Sequence, residues 1–261
     1  MKRYFLIYVG ILVFSFATIK AQTTTFTDST VVYTKAMGDS AYAANDYTTA
    51  IHVYEQLLNT HGESATVYYN LAGAYYKNED IARSILNYER AQLLDPTNED
   101  VKFNLELARS KAVDKNVPVS EFFFVRWFDN FSSIMSADGW AISAILCFLI
   151  LILCLALFIF SKKSKIKRII FIFALLSLIC TVIANINAST QKAKLEQRES
   201  AIIMDPSVTI RSTPSTTGTE LFILHEGKKV IIKDNSMKEW KEIEIEDGNI
   251  GWIPASAIEI I

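Results

Sequence analysis

Cysteine, histidine, proline and glycine are all scarce in this sequence of 261 residues, which has three cysteines, three histidines, five prolines and nine glycines. The cysteines, Cys147, Cys154 and Cys180, all lie within long uncharged runs. In apolar surroundings a cysteine acts as a small apolar residue, so neither a disulfide framework nor a cysteine metal site is expected. With so little glycine and proline, a collagen-like fibre is excluded as well.

The sequence also has no large excess of charge of either sign, since its formal net charge is only -2. This balance argues against a dedicated nucleic-acid-binding protein. The histidines, His52, His61 and His225, stand apart from one another in the sequence. The sequence contains no glycine-rich phosphate loop, no nucleophile elbow and no cluster of metal ligands. We therefore expect no enzyme activity, no cofactor and no metal.

The hydrophobic content of 51% is concentrated in three uncharged runs, at residues 4–19, 139–160 and 169–186. This distribution excludes a single soluble domain and a disordered chain, and too little of the chain is of membrane length for a polytopic transporter. The first run follows Met1-Lys2-Arg3 and leads into a polar stretch, so residues 1–21 are predicted to be a secretory signal peptide. An uncleaved signal anchor is the alternative.

Two transmembrane helices are predicted, at residues 139–160 and 169–187, because a helix of this length spans about 30 Å of hydrocarbon. The loop between them, residues 161–168, carries five positive charges and no acid. Short basic loops stay in the cytoplasm, so both flanking regions are predicted to be extracytoplasmic on a multi-pass membrane protein. Three positive residues beyond the second span oppose this bias but are fewer: Lys192, Lys194 and Arg198.

An aromatic segment is predicted at residues 119–138, immediately before the first span. Residues 122–131 alone contain five phenylalanines and a tryptophan. Aromatic residues at this density favour an amphipathic segment that lies on the bilayer surface. A hydrophobic lid packed on the preceding helices is the alternative.

A 34-residue period runs through residues 31–113 and aligns Gly38 with Ala72 and Tyr54 with Tyr88. It indicates stacked helical hairpins, in which small residues let two helices approach and tyrosines fill the space between hairpins. The pattern resembles the tetratricopeptide repeat family. The resemblance predicts an all-α solenoid of two repeats followed by a capping helix that begins near residue 99.

A solenoid of this kind has a concave groove, which we expect to bind a protein partner. Seven residues are candidates by repeat position: Lys35, Asp39, Tyr42, Tyr69, Asn70, Tyr76 and Asn104. Lys35 and Asn70 match positions at which some members of the family bind a terminal carboxylate, whereas Asp39 and Asp100 do not and would repel one. A generic protein-binding groove is therefore predicted. For Asn70 and Asn104, hydrogen bonding within the helical packing is the alternative.

From residue 200 to 261 the hydrophobic period changes to two, and six short strands separated by turn residues predict a small closed barrel. The segments 208–212, 224–227 and 248–253 resemble the bacterial SH3 domain family, which implies an SH3-like barrel that contacts proteins or cell-wall peptides. The surface candidates are Arg211, Trp240 and Trp252, and for the two tryptophans a core or rim position is the alternative. Residues 188–199 are predicted to be a linker.

The predicted whole is a multidomain membrane protein with a tetratricopeptide-repeat solenoid, a two-helix transmembrane hairpin and an SH3-like barrel. This order resembles the BatE-like branch of the Bat family of aerotolerance-operon proteins of Bacteroidetes-type bacteria. The resemblance implies a place in the bacterial inner membrane, with both soluble domains in the periplasm. It also implies partners among membrane-anchored von Willebrand A-domain proteins, together with a MoxR-type ATPase.

Three functions fit this organisation. The first is a membrane-anchored scaffold whose groove and barrel both bind proteins, the anchor raising the effective concentration of the second contact, in a Bat-type envelope complex linked to stress or oxygen tolerance. The second is a cell-wall sensor whose barrel binds peptidoglycan peptide. The third is an accessory subunit of an envelope enzyme complex. In each case the lipid bilayer is a partner and nucleic acid is not.

Overall fold

The computed structural model describes residues 32–114, 127–128 and 131–261. The predicted signal peptide (1–21) lies outside the described residues, as do residues 119–126 and 129–130 of the predicted aromatic segment. The described chain from Tyr33 to Ile261 forms one unit. It consists of five short helices, two long helices and a sheet, in that order along the chain.

The first five helices alternate with short turns, as the 34-residue period predicts. Asp46 and Asp80, which are 34 positions apart, begin the second and fourth helices, because each carboxylate accepts a hydrogen bond from a backbone N–H three residues later, at 3.1 and 3.0 Å. Asn98 caps the fifth helix in the same way. The helices are α1 (Lys35–Ala43), α2 (Tyr47–His61), α3 (Ala65–Lys77), α4 (Ile81–Leu94) and α5 (Glu99–Arg109).

Small residues let paired helices approach, as expected. A Cβ atom on Gly38 would lie 2.4 Å from Cε1 of Tyr54, so only glycine allows α1 to lie this close to α2. In the second hairpin the Ser84 hydroxyl donates to the Ala72 carbonyl at 2.9 Å, and both residues are fully buried. Helices α1 to α4 therefore form two hairpins, and α5 follows as a single helix.

Two long apolar helices come next, α6 (Ala137–Phe160) and α7 (Ser164–Gln197). Both are long and apolar enough to cross a membrane, judged by length and composition alone. They pack against each other, and the Ser177 hydroxyl on α7 donates to the Cys147 carbonyl on α6 at 2.6 Å.

The second long helix exceeds the predicted span at both ends. It begins inside the predicted loop 161–168 and continues through most of the predicted linker 188–199, ending only where Arg198 adopts a left-handed φ of 42°. Residues 188–197 contain neither glycine nor proline, so nothing in them interrupts helical hydrogen bonding. The expected flexible connection is thus replaced by helix.

The carboxyl-terminal part is one antiparallel sheet in the order β3-β2-β6-β5-β4-β1-β7. The six predicted strands are present, and a seventh, which sequence reasoning missed, pairs with β1. The outermost strands β3 and β7 are not paired with each other, so the sheet is not closed and the predicted barrel is confirmed only as an antiparallel sheet. The strands are β1 (Ser200–Ile203), β2 (Ser207–Arg211), β3 (Glu220–His225), β4 (Lys229–Asp234), β5 (Trp240–Glu244), β6 (Ile250–Pro254) and β7 (Ile258–Ile260).

The sheet packs directly against the repeat helices. Ile202 of β1 and Ile261 are 0% and 4% exposed, and both belong to one hydrophobic cluster with Ile85, Leu105 and Ala108 of α4 and α5. At the edge of the sheet, Arg90 of α4 donates to the Ile260 carbonyl at 2.6 Å. A helix therefore occupies part of the edge at β7 that a closed barrel would need for pairing. We call this contact the helix–sheet junction.

A buried carboxylate lies at the helix–sheet junction. Glu89 of α4 is 4% exposed, and it accepts hydrogen bonds from Arg109 of α5 and from Lys229 of β4, the latter at 2.8 Å. Burial alone would raise the pKa of Glu89, but the charges of Lys229 and Arg109 outweigh it and hold this pKa below its ordinary value. Glu89 is therefore ionised and bonded to both modules.

Replacing Glu89 by glutamine is expected to lower the free energy of unfolding by about 3 kcal/mol, because two cations lose the buried charge that they face. The measurement is thermal unfolding of the full chain in detergent, near neutral pH. Glu106→Gln is the matched control, since Glu106 bonds to the same Arg109 but its side chain is 70% exposed, and its loss should cost less than about 1 kcal/mol.

Comparison of the wild-type chain with Glu89→Gln also tests a predicted pH dependence of stability. Because folding lowers the pKa of Glu89, its ion pairs stabilise the folded state fully above the ordinary pKa and are lost as the pH falls through the folded value. The wild-type chain should therefore lose more stability on acidification than Glu89→Gln does. Equal losses would contradict this account of the helix–sheet junction.

Candidate functional site

The candidate groove begins at Asp39 on α1, whose carboxylate is the centre of a small hydrogen-bond network. It accepts from the Lys35 ammonium at 2.7 Å, from the Tyr54 hydroxyl at 2.7 Å and from the Asn70 amide at 3.1 Å. These donors come from three consecutive helices. Three of the four residues were predicted groove residues, and the network brings them together.

Protonation in this network is set by its geometry. Burial would raise the pKa of Asp39, but the hydrogen bonds from Lys35, Tyr54 and Asn70 together hold it below its ordinary value. Burial and the hydrogen bond to Asp39 both raise the pKa of Tyr54. The carboxylate is thus ionised and the phenol keeps its proton at neutral pH. The donors that would face a partner's terminal carboxylate are already engaged by Asp39.

Three tyrosines are candidate groove residues from the middle of the repeats. Tyr42, Tyr69 and Tyr76 are all partly exposed, whereas Tyr88 beneath them is buried and meets the Tyr69 ring edge-on at 5.8 Å between centroids. Gly73 leaves room between these rings, since a Cβ atom there would lie 3.6 Å from the Tyr88 hydroxyl and 3.9 Å from that of Tyr42. The candidate tyrosines therefore present partly exposed aromatic rings above the buried Tyr88.

Asn104 connects α5 to these tyrosines. Its amide donates to the Tyr69 hydroxyl at 3.0 Å and to the Asp100 carbonyl at 2.8 Å. The amides of both candidate asparagines, Asn70 and Asn104, are thus engaged within the helices, which is the alternative considered for them from the sequence. Their role toward a partner stays a prediction.

Sequence reasoning missed two exposed apolar residues on α5. Phe103 is 70% exposed and Leu107 is 41% exposed. They follow Tyr69 and Gly73 by 34 residues, so the repeat register places them on the same concave side. The 34-residue spacing was the signal that could have found them. The groove therefore changes from the Lys35–Asp39 ion pair at one end, through tyrosines, to exposed hydrocarbon at the other.

The three candidates on the sheet lie on neighbouring strands. Arg211 of β2 is opposite Trp252 of β6, and Trp240 of β5 is opposite Pro254. Arg211 is held in place by its own strand connection, because its guanidinium donates to the Gly218 carbonyl at 2.8 Å. Both tryptophans are partly exposed and lie on the face of the sheet opposite Ile243 and Ile253, which belong to its hydrophobic core. They are therefore surface residues of the sheet.

Metal binding finds no support in the described ranges, 32–114, 127–128 and 131–261, since these contain no group of three or more histidine, cysteine, aspartate or glutamate side chains placed to hold an ion. The absence of enzyme activity and of a cofactor stays a prediction.

Replacing Asp39 by alanine is expected to lower the free energy of unfolding by about 2 kcal/mol, because the partly buried Tyr54 hydroxyl and Asn70 amide lose their acceptor. Thermal unfolding of the full chain measures the change. Lys35→Ala removes only an ion pair whose side chains are 45% and 44% exposed, and it should cost less than about 1 kcal/mol. Equal effects of the two substitutions would show that the network does not join the three helices.

Comparison with known families supports the reading of the helices. Residues 35–99 match the model of the tetratricopeptide repeat family. This segment spans the first four helices and the start of α5. None of the curated proteins compared with the chain matches it. The chain thus contains tetratricopeptide repeats, a type of domain that generally mediates contacts between proteins.

Proposed function

We propose that this chain is a membrane-anchored scaffold that binds a protein partner in the groove of its repeats. The observation that carries the proposal is the row of accessible aromatic side chains along the concave side, above all Tyr69, Tyr76 and Phe103. Aromatic residues contribute much of the binding energy of protein interfaces, since they bury large areas with few rotatable bonds. The match to the repeat family supports the same function.

The groove favours apolar side chains of a partner over a chain terminus. The Lys35 ammonium and the Asn70 amide both donate to the Asp39 carboxylate, so an incoming carboxylate would approach the negative charge of Asp39, which repels it. At the other end, the exposed ring of Phe103 offers contact without competing hydrogen bonds. We therefore expect the partner to present hydrophobic residues along one side of a helix or an extended segment.

Membrane anchoring has two supports. The first is the length and apolar composition of α6 and α7. The second is the helix–sheet junction, because modules that precede and follow a two-helix hairpin can pack together only if both lie on the same side of the bilayer. The basic stretch 161–168 favours the cytoplasm for the other end of the hairpin. Both modules would then be periplasmic.

The wider setting rests on resemblance. The order of modules is similar to that of BatE-like proteins, so a Bat-type envelope complex with von Willebrand A-domain partners is the setting that we propose. The alternative, a sensor that binds cell-wall peptide through the SH3-like part, depends on the outer face of the sheet, where Trp240 and Trp252 are partly exposed.

Phe103→Ser is expected to reduce recovery of the groove partner about tenfold when the full chain is purified gently from native membranes, because truncating an aromatic anchor of an interface commonly costs more than 1 kcal/mol. Since the ring is 70% exposed, folding should be unaffected. The bound proteins are identified and quantified by mass spectrometry. A point substitution is preferable to deleting the repeats, because deletion would also uncover Ile202 and Ile261 of the helix–sheet junction.

Ile250→Ser is the matched control for Phe103→Ser, since it also removes an exposed apolar side chain (49% exposed) but lies on β6 of the sheet. It should leave recovery of the partner unchanged. Unchanged recovery with both variants would contradict the groove proposal. Loss with Ile250→Ser alone would assign binding of the protein partner to the sheet and not to the groove.

The proposed topology predicts which sites react with a membrane-impermeant maleimide in intact spheroplasts. Asn59→Cys on α2 and Thr217→Cys on the β2–β3 connection should be labelled, because both positions are exposed and face the outside. Lys162→Cys, between the two long helices, should react only after lysis. Labelling of Lys162→Cys in intact spheroplasts, with the other two protected, would reverse the orientation.

A further inference from the structure

A cleft of about 950 Å³ opens where α7 meets the helix–sheet junction. One wall is the end of α4 and the turn into α5, the second is the last part of α7, and the third is formed by β1 and β4. Residues of the segment that precedes α6, including Ile134, complete it. The cleft is distinct from the groove, since none of the predicted groove residues lines it.

Four cationic side chains line this cleft, and they come from three different parts of the chain: Lys102, Lys194, Arg198 and Lys229. Three acidic residues also line it, and one of these, Glu89, already bonds to Lys229 and Arg109 at the helix–sheet junction. An ammonium group has three N–H donors and a guanidinium has five. Lys102 pairs with Glu99, and Arg198 pairs with Glu63 outside the lining. With four cations against three acids, the lining has a net formal charge of +1, which favours an anion in the cleft.

The remaining lining is partly hydrocarbon, from Leu93, Ile134, Ile231 and Ile261. A cleft lined by both cations and apolar side chains is complementary to a ligand that has an anionic group joined to a short apolar part. A fully polar anion would leave the apolar side unused, and a purely apolar ligand would leave the cations unused.

The cleft lies at the height where a bilayer surface is expected. Helix α6 has 24 residues and is about 36 Å long, whereas α7 has 34 residues and is about 51 Å long. The last part of α7 therefore extends about 15 Å beyond the start of α6. Gln191 donates to the Ser132 carbonyl at 2.9 Å just before α6 begins, which fixes the base of this extension. The headgroup zone is about 5–8 Å thick on each side of the hydrocarbon. Lys194 is three residues from the end of α7 and therefore about 10 Å beyond the start of α6, just outside this zone, and its flexible side chain is long enough to reach back into it.

We propose that this cleft binds the glycerophosphate headgroup of an anionic phospholipid. The phosphate faces Lys194 and Arg198, and the glycerol backbone and the first acyl carbons lie against Ile134 and Leu93. The proposal rests on the membrane anchoring proposed above and not on the protein partner of the groove. Soluble glycerol phosphate carries the same anionic group, so the test must separate the two sources.

The proposed site also gives a role to the positive residues beyond the second span, which the predicted topology does not explain. The positive residues beyond the second span oppose the charge bias that orients the hairpin. In the structure, Lys194 and Arg198 are one turn of α7 apart and line the same cleft. Their charge serves recognition of a phosphate there, where basic clusters at a membrane surface are known to favour anionic headgroups.

The test uses the full chain in a mild detergent and three probes: dihexanoyl phosphatidylglycerol, dihexanoyl phosphatidylcholine and glycerol phosphate. Binding is measured by native mass spectrometry and titration calorimetry. Lys194→Gln should weaken binding of the phosphatidylglycerol about tenfold, because one charge-assisted contact to the phosphate is lost. Lys192→Gln is the matched control, with the same charge change two residues away on a side chain that is 70% exposed and does not line the cleft.

Stronger binding of the phosphatidylglycerol than of the phosphatidylcholine, with loss in Lys194→Gln but not in Lys192→Gln, supports the site and assigns the ligand to the bilayer. The same pattern with glycerol phosphate binding as tightly supports the site and assigns the ligand to solution. No binding of either anion, or equal effects of the two lysine substitutions, overturns the proposal. Because neither the maleimide labelling nor partner recovery enters this measurement, failure here leaves anchoring and scaffolding to be judged on their own tests.

Discussion

The Glu89 carboxylate, buried between Arg109 and Lys229, joins α4, α5 and β4 at a point where water is excluded. Isolated, this charge would not remain ionised at such a site; paired with two cations it does, and it also limits how the helices and the sheet can be oriented. Ile202 and Ile261 complete the same contact with hydrocarbon. The position of the groove relative to the sheet, and the shape of the cleft beside α7, both follow from this single arrangement.

Two modules that share a core act differently from two modules on a flexible tether. A tether raises the effective concentration of a second contact, whereas a shared core fixes its distance and direction. The groove and the outer face of the sheet are thus presented in one orientation. A partner that contacts both surfaces loses less conformational freedom on binding, and a partner shaped for another spacing is excluded.

Much of the fold was readable from the sequence, because it depends on local patterns. The 34-residue period predicted the hairpins, and the uncharged runs predicted the two long helices. What was missed depends on contacts between distant residues. The Glu89 pairing joins positions 140 apart, and no periodicity marks it. Three residues of the network, Lys35, Asp39 and Asn70, were candidates by repeat position, but their hydrogen bonds to one another follow only from the packing of three helices.

The helix–sheet junction also has a consequence for the order of folding. The repeat helices are synthesised well before β1 and β4, because both long helices lie between them in the chain. The apolar side of α4 and α5 therefore stays exposed until the sheet has been synthesised. Pairings this distant in sequence form late and slowly, and uncovered apolar surface invites association with other chains in the meantime. A newly made copy of this protein therefore passes through a stage at which this apolar surface is exposed to other chains.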